Sequence, residues 1–375
     1  MMYQFVTLGQ ENNSGSDVII TDTLETAFMP ALAYNSDLGL VGGGIISRYH
    51  FRNNTQPFYS YFNANILVST KGLISSSAFL DKPDIFNSDQ RLTSEVFISR
   101  FLKNQYYGIG NYQKLNDPPE QNPDYYYYNS FSTGFEFILR RPLIITSNNE
   151  QLDIFGVVNF DYFTPWGNEN NRFITQDQPT GIEGSHTAGL GLGFIWEGRD
   201  NEFTPSRGIY GRVGIETGQK FYGSSSDYFI LKSEARAYTS FHFIRKITFA
   251  NRLSFQHSSG TLPYWKLAEL GGEKSMRGYP ENRFRDHNVV FMNTELRSWL
   301  FEFPAYEVRL GGTLFFDIGR TYSNGTAIDN IFSDLKYTYG FGGLSSFFNE
   351  NFIFRGDIGF SEEGYGIYFT AGYMF

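Results

Sequence analysis

Apolar residues recur at every second position over most of this chain, and that period makes the extended strand its main building element. The C-terminal stretch is the clearest case. Tyr365, Ile367, Phe369, Ala371, Tyr373 and Phe375 share one face, with Gly366, Tyr368, Thr370, Gly372 and Met374 on the other. The segment before it sets Phe352, Phe354, Ile358 and Phe360 against Arg355 and Asp357. In a soluble sandwich the Phe side would face a core; in a membrane barrel it would face lipid, with the charges in a wet lumen. One strand fits either fold, but a long succession of membrane-crossing length fits the barrel. Sixteen such segments are expected, near 22–34, 38–52, 57–70, 72–86, 90–103, 129–144, 151–165, 185–199, 207–219, 226–241, 245–258, 287–303, 306–323, 335–348, 351–361 and 364–375.

Composition agrees with this pattern. The chain is 18% aromatic and 18% charged, with 39 Phe and 26 Tyr, yet its mean hydropathy is −0.33. Both hold at once when lipid-facing and lumen-facing residues alternate. No apolar run approaches the ~18 residues of a membrane helix. Connections after even strands are short, at Asn53–Gln56, Ser147–Glu150 and Asn349–Asn351. The long ones, Asn104–Tyr128, Trp166–Gly184 and Gly260–Asp286, follow odd strands. Short turns on one side and long loops on the other suit periplasmic turns and extracellular loops, with both termini periplasmic. The expected fold is an all-β, 16-stranded antiparallel transmembrane barrel over 22–375, preceded by a periplasmic segment 1–21, in a Gram-negative outer membrane. No helical segment is expected. Residues 1–47 contain no Lys or Arg, so Met1–Gly9 lacks the basic start of a signal peptide, and more chain is expected upstream.

The last third resembles the barrel of the BamA/TamA-like outer-membrane assembly and translocation superfamily (the bacterial surface antigen family). The resemblance rests on Leu270-Gly271-Gly272, then Ser275-Met276-Arg277-Gly278-Tyr279, in the loop after the eleventh strand. It continues with Asn293-Thr294-Glu295-Leu296-Arg297, Phe315-Phe316-Asp317-Ile318-Gly319, and the turn residues Arg199-Asp200-Asn201 and Pro205-Ser206-Arg207-Gly208. It implies a long sixth extracellular loop folded into the lumen through Arg277-Gly278-Tyr279. It also implies that the seam between the first and last strands, with Pro30, Gly364, Gly366 and Gly372, serves as a lateral gate. A local bulge that never opens is the plain alternative for Pro30. Tyr373 and Phe375 match the terminal signal by which such barrels are assembled. Strand phase turns Asp317, Glu295 and Arg297 inward, and a buried arginine must be paired. Arg277 is therefore expected to bond Asp317, Glu295 or both. Gly189, Gly191 and Gly193 leave an inward stripe bare, which suits an inserted loop.

Other chemistry finds little support. The chain has no Cys, and its five His show no metal spacing. No cofactor is expected, and His257 and the adjacent Ser258 point to opposite faces. Lys232, Glu234 and Arg236 are read as a solvated ladder. The net charge of −9 disfavours nucleic acid. Tyr106, Tyr107, Tyr112 and Tyr125–Tyr128 could bind sugar or peptide, or simply pack the loops. The resemblance implies no enzyme activity but a part in inserting or translocating polypeptides. Expected partners are outer-membrane lipid and lipopolysaccharide, client polypeptides and accessory outer-membrane subunits. Residues 1–21 leave no room for the POTRA domains that precede many such barrels. The alternatives are an anchor or exporter for a hydrolase of the patatin-like lipase type, and a passive porin-like barrel.

Overall fold

The structure is a computed structural model and describes residues 3–5, 22–52, 58–85, 88–111, 122–148, 150–167, 171–347 and 353–375. Sixteen strands form the barrel: β1 Asp22–Asn35, β2 Gly39–Arg52, β3 Ser60–Ser69, β4 Leu73–Lys82, β5 Arg91–Gln105, β6 Tyr127–Ile145, β7 Gln151–Pro165, β8 Ser185–Arg199, β9 Gly208–Gly218, β10 Tyr228–His242, β11 Lys246–Gly260, β12 Asn288–Phe303, β13 Val308–Tyr322, β14 Lys336–Phe347, β15 Ile353–Ser361 and β16 Gly364–Ala371. Each pairs antiparallel with its neighbours in sequence, and β16 returns to β1 to close the sheet. Closure matters because hydrocarbon offers no partner to an unpaired backbone group.

Side-chain exposure follows the period of two. On β13, Leu310, Leu314 and Phe316 are exposed, while Thr313, Phe315 and Asp317 are buried. On β12, Met292, Leu296 and Leu300 are exposed, while Asn293, Glu295 and Arg297 are buried. Apolar residues outside and polar residues inside is the reverse of a soluble fold, and it identifies the outer surface as the lipid face. Among the described residues, no helix is long and apolar enough to cross a membrane.

The long connections lie at one end of the barrel, and contrary to expectation they contain short helices. Phe173–Asp177 is helical in the loop after β7, and Ile328–Ile331 in the loop after β13. Too short to show helical periodicity, they leave no trace in the sequence pattern. The loop after β11, loop six by order, carries a small ribbon of Ala268–Leu270 against Phe284–Asp286. At the opposite end, the turn at 146–150 is closed by the Thr146 N–H donating to the Glu150 carbonyl at 2.9 Å. The turns Asn53–Gln56 and Asn349–Asn351, with Tyr112 and Phe352, lie outside the described residues, as does most of segment 1–21. Within that segment, Tyr3–Phe5 pairs antiparallel with Leu24–Thr26 of β1.

The seam differs from every other strand pair. Tyr368 lies opposite Asn35 and Phe369 opposite Tyr34, and the Ser36 N–H donates to the Ile367 carbonyl at 3.0 Å just beyond them, but among the described residues β16 pairs with no residue of β1 before Tyr34. On either side, β15–β16 runs from Phe354 to Ser361 and β1–β2 from Asp22 to Asn35. Pro30, exposed and opposite Gly44, sits in the stretch of β1 that β16 does not reach. Lacking an N–H, it leaves one donor fewer on that open edge.

The C-terminal stripe requires a correction. Tyr365, Phe369 and Ala371 are exposed, but the strand ends at Ala371 rather than at residue 375. Gly372 takes φ +82°, and the chain turns inward, burying Phe375. Only glycine adopts that left-handed turn readily, so the alternation of Tyr373 and Phe375 ceases to report a lipid face.

Candidate functional site: the arginine of loop six

Arg277 reaches from loop six to the polar inner face of three strands. Its Nε donates to Asp317 Oδ2 at 3.0 Å and its Nη2 to Asp317 Oδ1 at 2.9 Å, a two-pronged match to the carboxylate of β13. Its Nη1 donates to Glu295 Oε1 of β12 at 2.6 Å and to Asp357 Oδ2 of β15 at 3.1 Å. The Arg277 N–H also donates to Asp317 Oδ2 at 3.2 Å. Its guanidinium lies 3.4 Å from the centroid of the Phe315 ring. All four charged groups are 0% exposed.

Three carboxylates around one guanidinium would leave excess negative charge, which burial forbids. Two further arginines balance it. Arg297 Nε donates to Glu295 Oε2 at 2.7 Å, and Arg355 Nε lies 3.1 Å from Asp357 Oδ2. Asn293 Nδ2 donates to Asp317 Oδ1 at 2.8 Å and to the Ser275 carbonyl at 2.6 Å. Arg252 Nε donates to Asn293 Oδ1 at 2.9 Å, and its Nη2 reaches the Lys274 carbonyl. The structure therefore brings Arg277, Glu295 and Asp317 together. Asp357, Asn293 and Arg252 were missed as partners. Asp357 had a signal, since its strand phase already pointed it inward beside Arg355.

Glycine lets the backbones meet. Gly278 has φ +109°, and a Cβ on it would fall 2.9 Å from the Gly359 carbonyl carbon. A Cβ on Gly359 would fall 2.6 Å from the Arg277 carbonyl group. The expected bare stripe plays a different part. Cβ atoms on Gly189, Gly191 and Gly193 would meet Asn159, Val157 and Phe155 of β7 and the backbone of β9. Large inward side chains of the neighbouring strand occupy that space, and loop six approaches β15 at Gly359 instead. Tyr279 packs in a buried cluster with Leu270, Met276, Phe284 and Val289.

Loop six also touches both strands of the seam. The Gly278 N–H donates to Tyr368 Oη of β16 at 3.0 Å, and Ser361 Oγ donates to the Gly278 carbonyl at 3.0 Å. Toward β1, Asn35 Nδ2 donates to Glu273 Oε2 at 3.2 Å, and the Glu281 N–H donates to Asp37 Oδ1 at 2.9 Å. Arg283 pairs with Glu363 of the β15–β16 turn at 2.6 Å. Asn35 and Tyr368, which face each other across the seam, are thus both bonded to loop six. Of the other seam glycines, Gly364 has φ +144°, and a Cβ on Gly366 would strike the Tyr368 phenol. Tyr373 and Phe375 lie beside Arg297, whose guanidinium is 4.1 Å and 5.0 Å from their ring centroids and donates to the Phe375 carbonyl at 3.0 Å.

The remaining candidates are structural in their contacts. Tyr106, Tyr128 and Tyr264 are buried with Ile174 between the loops, and Tyr106 Oη donates to Asp177 Oδ2 at 2.5 Å. Tyr125 and Tyr126 lie against Phe173, so the tyrosine tract packs loops together. His257 Nδ1 pairs with Asn288 Oδ1 at 2.6 Å, and Ser258 Oγ donates to the His287 carbonyl, so each of these two neighbours is bonded elsewhere rather than to the other. Arg236 Nε donates to Glu234 Oε1 at 2.7 Å. Among the described residues, no three His, Asp or Glu side chains converge as a metal site.

Comparison with known proteins places this geometry. The model of the Omp85 superfamily domain matches residues 60–367. No curated protein matches the sequence. Among solved structures, BamA from Haemophilus ducreyi lacking POTRA domains 1–3 is similar, with a TM-score of 0.59, 12% identity, 94% of this chain covered and 70% of that one. CdiB from Acinetobacter baumannii gives 0.58, 14%, 94% and 60%, and CdiB from Escherichia coli gives 0.60, 13%, 99% and 67%. At such identities the likeness is one of fold, and this chain spans 60–70% of the length of those chains.

Proposed function

This chain belongs to the Omp85 superfamily of outer-membrane β-barrels, and from that premise we propose that it inserts or translocates polypeptides through a seam that opens between β1 and β16. The observation that carries this reading is the two-residue pairing at the seam, with the remainder of the β1 edge unpaired by β16. Among the described residues every other pair of neighbouring barrel strands runs over eight residues or more, so this is where strand separation costs fewest hydrogen bonds. Loop six, folded into the lumen and pinned by Arg277, holds both seam strands from inside and keeps the resting barrel shut. The chain does this without catalysis. Its clients are polypeptides, assisted by accessory outer-membrane subunits, in contact with lipid and lipopolysaccharide. Segment 1–21 and both chain ends lie on the periplasmic side. An open porin is disfavoured by the packed loops and the neutralised arginine cluster.

The test is a reversible lock. The chain has no Cys, so Tyr34→Cys with Phe369→Cys, opposite each other at the seam, is a clean pair. Oxidation should abolish the delivery of newly made outer-membrane or secreted proteins that depends on this chain, and reductant should restore it. Full activity with the disulfide formed would remove the seam from the mechanism.

A further inference from the structure

Just beyond the two paired residues, a cavity of about 1000 Å³ opens between β1 and strands β14–β16. Residues of both faces of the wall line it. Leu32 and Phe369 belong to the exposed lipid face, and Val41 and Leu344 are buried inner-face residues. The lining is mostly apolar, and its polar members at the inner side are Thr370 and, opposite it, Arg355, which is 3% exposed. Arg355 is ion-paired with Asp357 at 3.1 Å and Glu273 at 3.5 Å, yet its Nη1 has no hydrogen-bond partner. Gly343 borders the cavity, and a Cβ placed on it would meet nothing within 4 Å.

An apolar void of this size does not hold water well, because water needs two to four polar partners. This one faces hydrocarbon, which fills an apolar space without losing hydrogen bonds. We propose that the cavity is a lipid-binding site. The acyl chain of one membrane lipid enters between β1 and β16, and an oxygen of its ester or headgroup accepts from Arg355 Nη1. The lipid seals the wall where the strands do not pair. The site requires only that the barrel sit in a membrane, so it stands apart from the insertion or translocation reading.

Native mass spectrometry of the barrel, extracted from outer membranes in mild detergent, tests the proposal. The intact barrel should retain one lipid, and its mass distinguishes a phospholipid from lipopolysaccharide. Gly343→Phe should fill the cavity and reduce retention at least tenfold. Leu314→Phe, on the lipid face of β13 away from the seam, should leave retention unchanged. Equal retention by both variants, or none by the unaltered barrel, would overturn the proposal. Should Gly343→Phe fail to fold, a photoreactive fatty acid incorporated into membranes containing the unaltered barrel decides the matter. Crosslinks concentrated on Met29–Tyr34 and Phe369–Ala371 support the site; crosslinks spread evenly over the lipid face refute it.

Discussion

The N–H of Gly278 donates to the phenol oxygen of Tyr368 at 3.0 Å, a bond between the loop-six motif and the last strand of the barrel. Tyr368 is also one of the two β16 residues paired with β1, opposite Asn35, which in turn bonds Glu273 of loop six. The same loop thus bonds both strands of the seam, where β16 and β1 pair at two residues.

Tyr368→Phe keeps the ring and removes the acceptor, leaving the buried Gly278 N–H unsatisfied. An orphaned buried donor costs about 1–3 kcal/mol. Hydrogen exchange at Gly278 should accelerate by one to two orders of magnitude while barrel strands such as β12 and β13 keep their protection.

Arg277→Ala leaves Asp317, Glu295 and Asp357 buried around a vanished cation. Breaking a buried ion pair from one side costs about 3–5 kcal/mol. The variant should show a lower unfolding temperature and rapid proteolysis within 261–287. Arg277→Lys should recover only part of the loss, because an ammonium cannot make the two-pronged contact to Asp317.

Two glycines on neighbouring strands should behave oppositely. A Cβ on Gly359 strikes the Arg277 backbone at 2.6 Å, whereas one on Gly343 meets nothing within 4 Å. Gly359→Ala should destabilise the barrel by about 1–3 kcal/mol through overpacking, and Gly343→Ala should be neutral in the same thermal assay.

Loop docking should depend on pH through Glu281, which lies against Asp37. Burial and the neighbouring Asp37 push its carboxyl up to about 7 from 4.5, with Glu269 and Glu273 adding and Lys274 opposing. Burial likewise raises Asp37, against the pull of Lys71. A raised value means that the docked state favours the protonated form. The contact is therefore fully stable below about 4.5 and weakens as pH rises through about 7. Protease resistance of loop six should fall between pH 5 and pH 8, and Glu281→Gln should flatten that dependence. A slope unchanged in the Gln variant would assign it to another group.

Much of this was legible in the sequence. Alternation alone located sixteen strands, because a pleated strand between lipid and a wet lumen enforces it residue by residue. The same phase turned Glu295 and Asp317 inward, where both meet Arg277. What escaped depends on contacts between distant segments or on single backbone angles. The inward turn at Gly372 rests on one φ value, and the alternation running through it gives no warning. The glycines of β8 looked like room for a loop until Phe155, Val157 and Asn159 were seen to fill it. Asp357 carries the right phase, but its nearness to Arg277, eighty residues away in sequence, follows only from barrel closure.

The most direct test of the coupling between loop six and the seam is a pair of spin-label distances. Labels at Leu32 and Phe369 flank the seam, and labels at Phe194 and Val213, directly opposite each other on β8 and β9, serve as the control. In the unaltered barrel both distance distributions should be narrow. In Arg277→Ala the seam distribution should broaden and shift outward while the β8–β9 distribution stays as it was. A seam distance unmoved by loss of Arg277, with loop six shown by proteolysis to be released, would contradict the claim that this loop holds the seam closed.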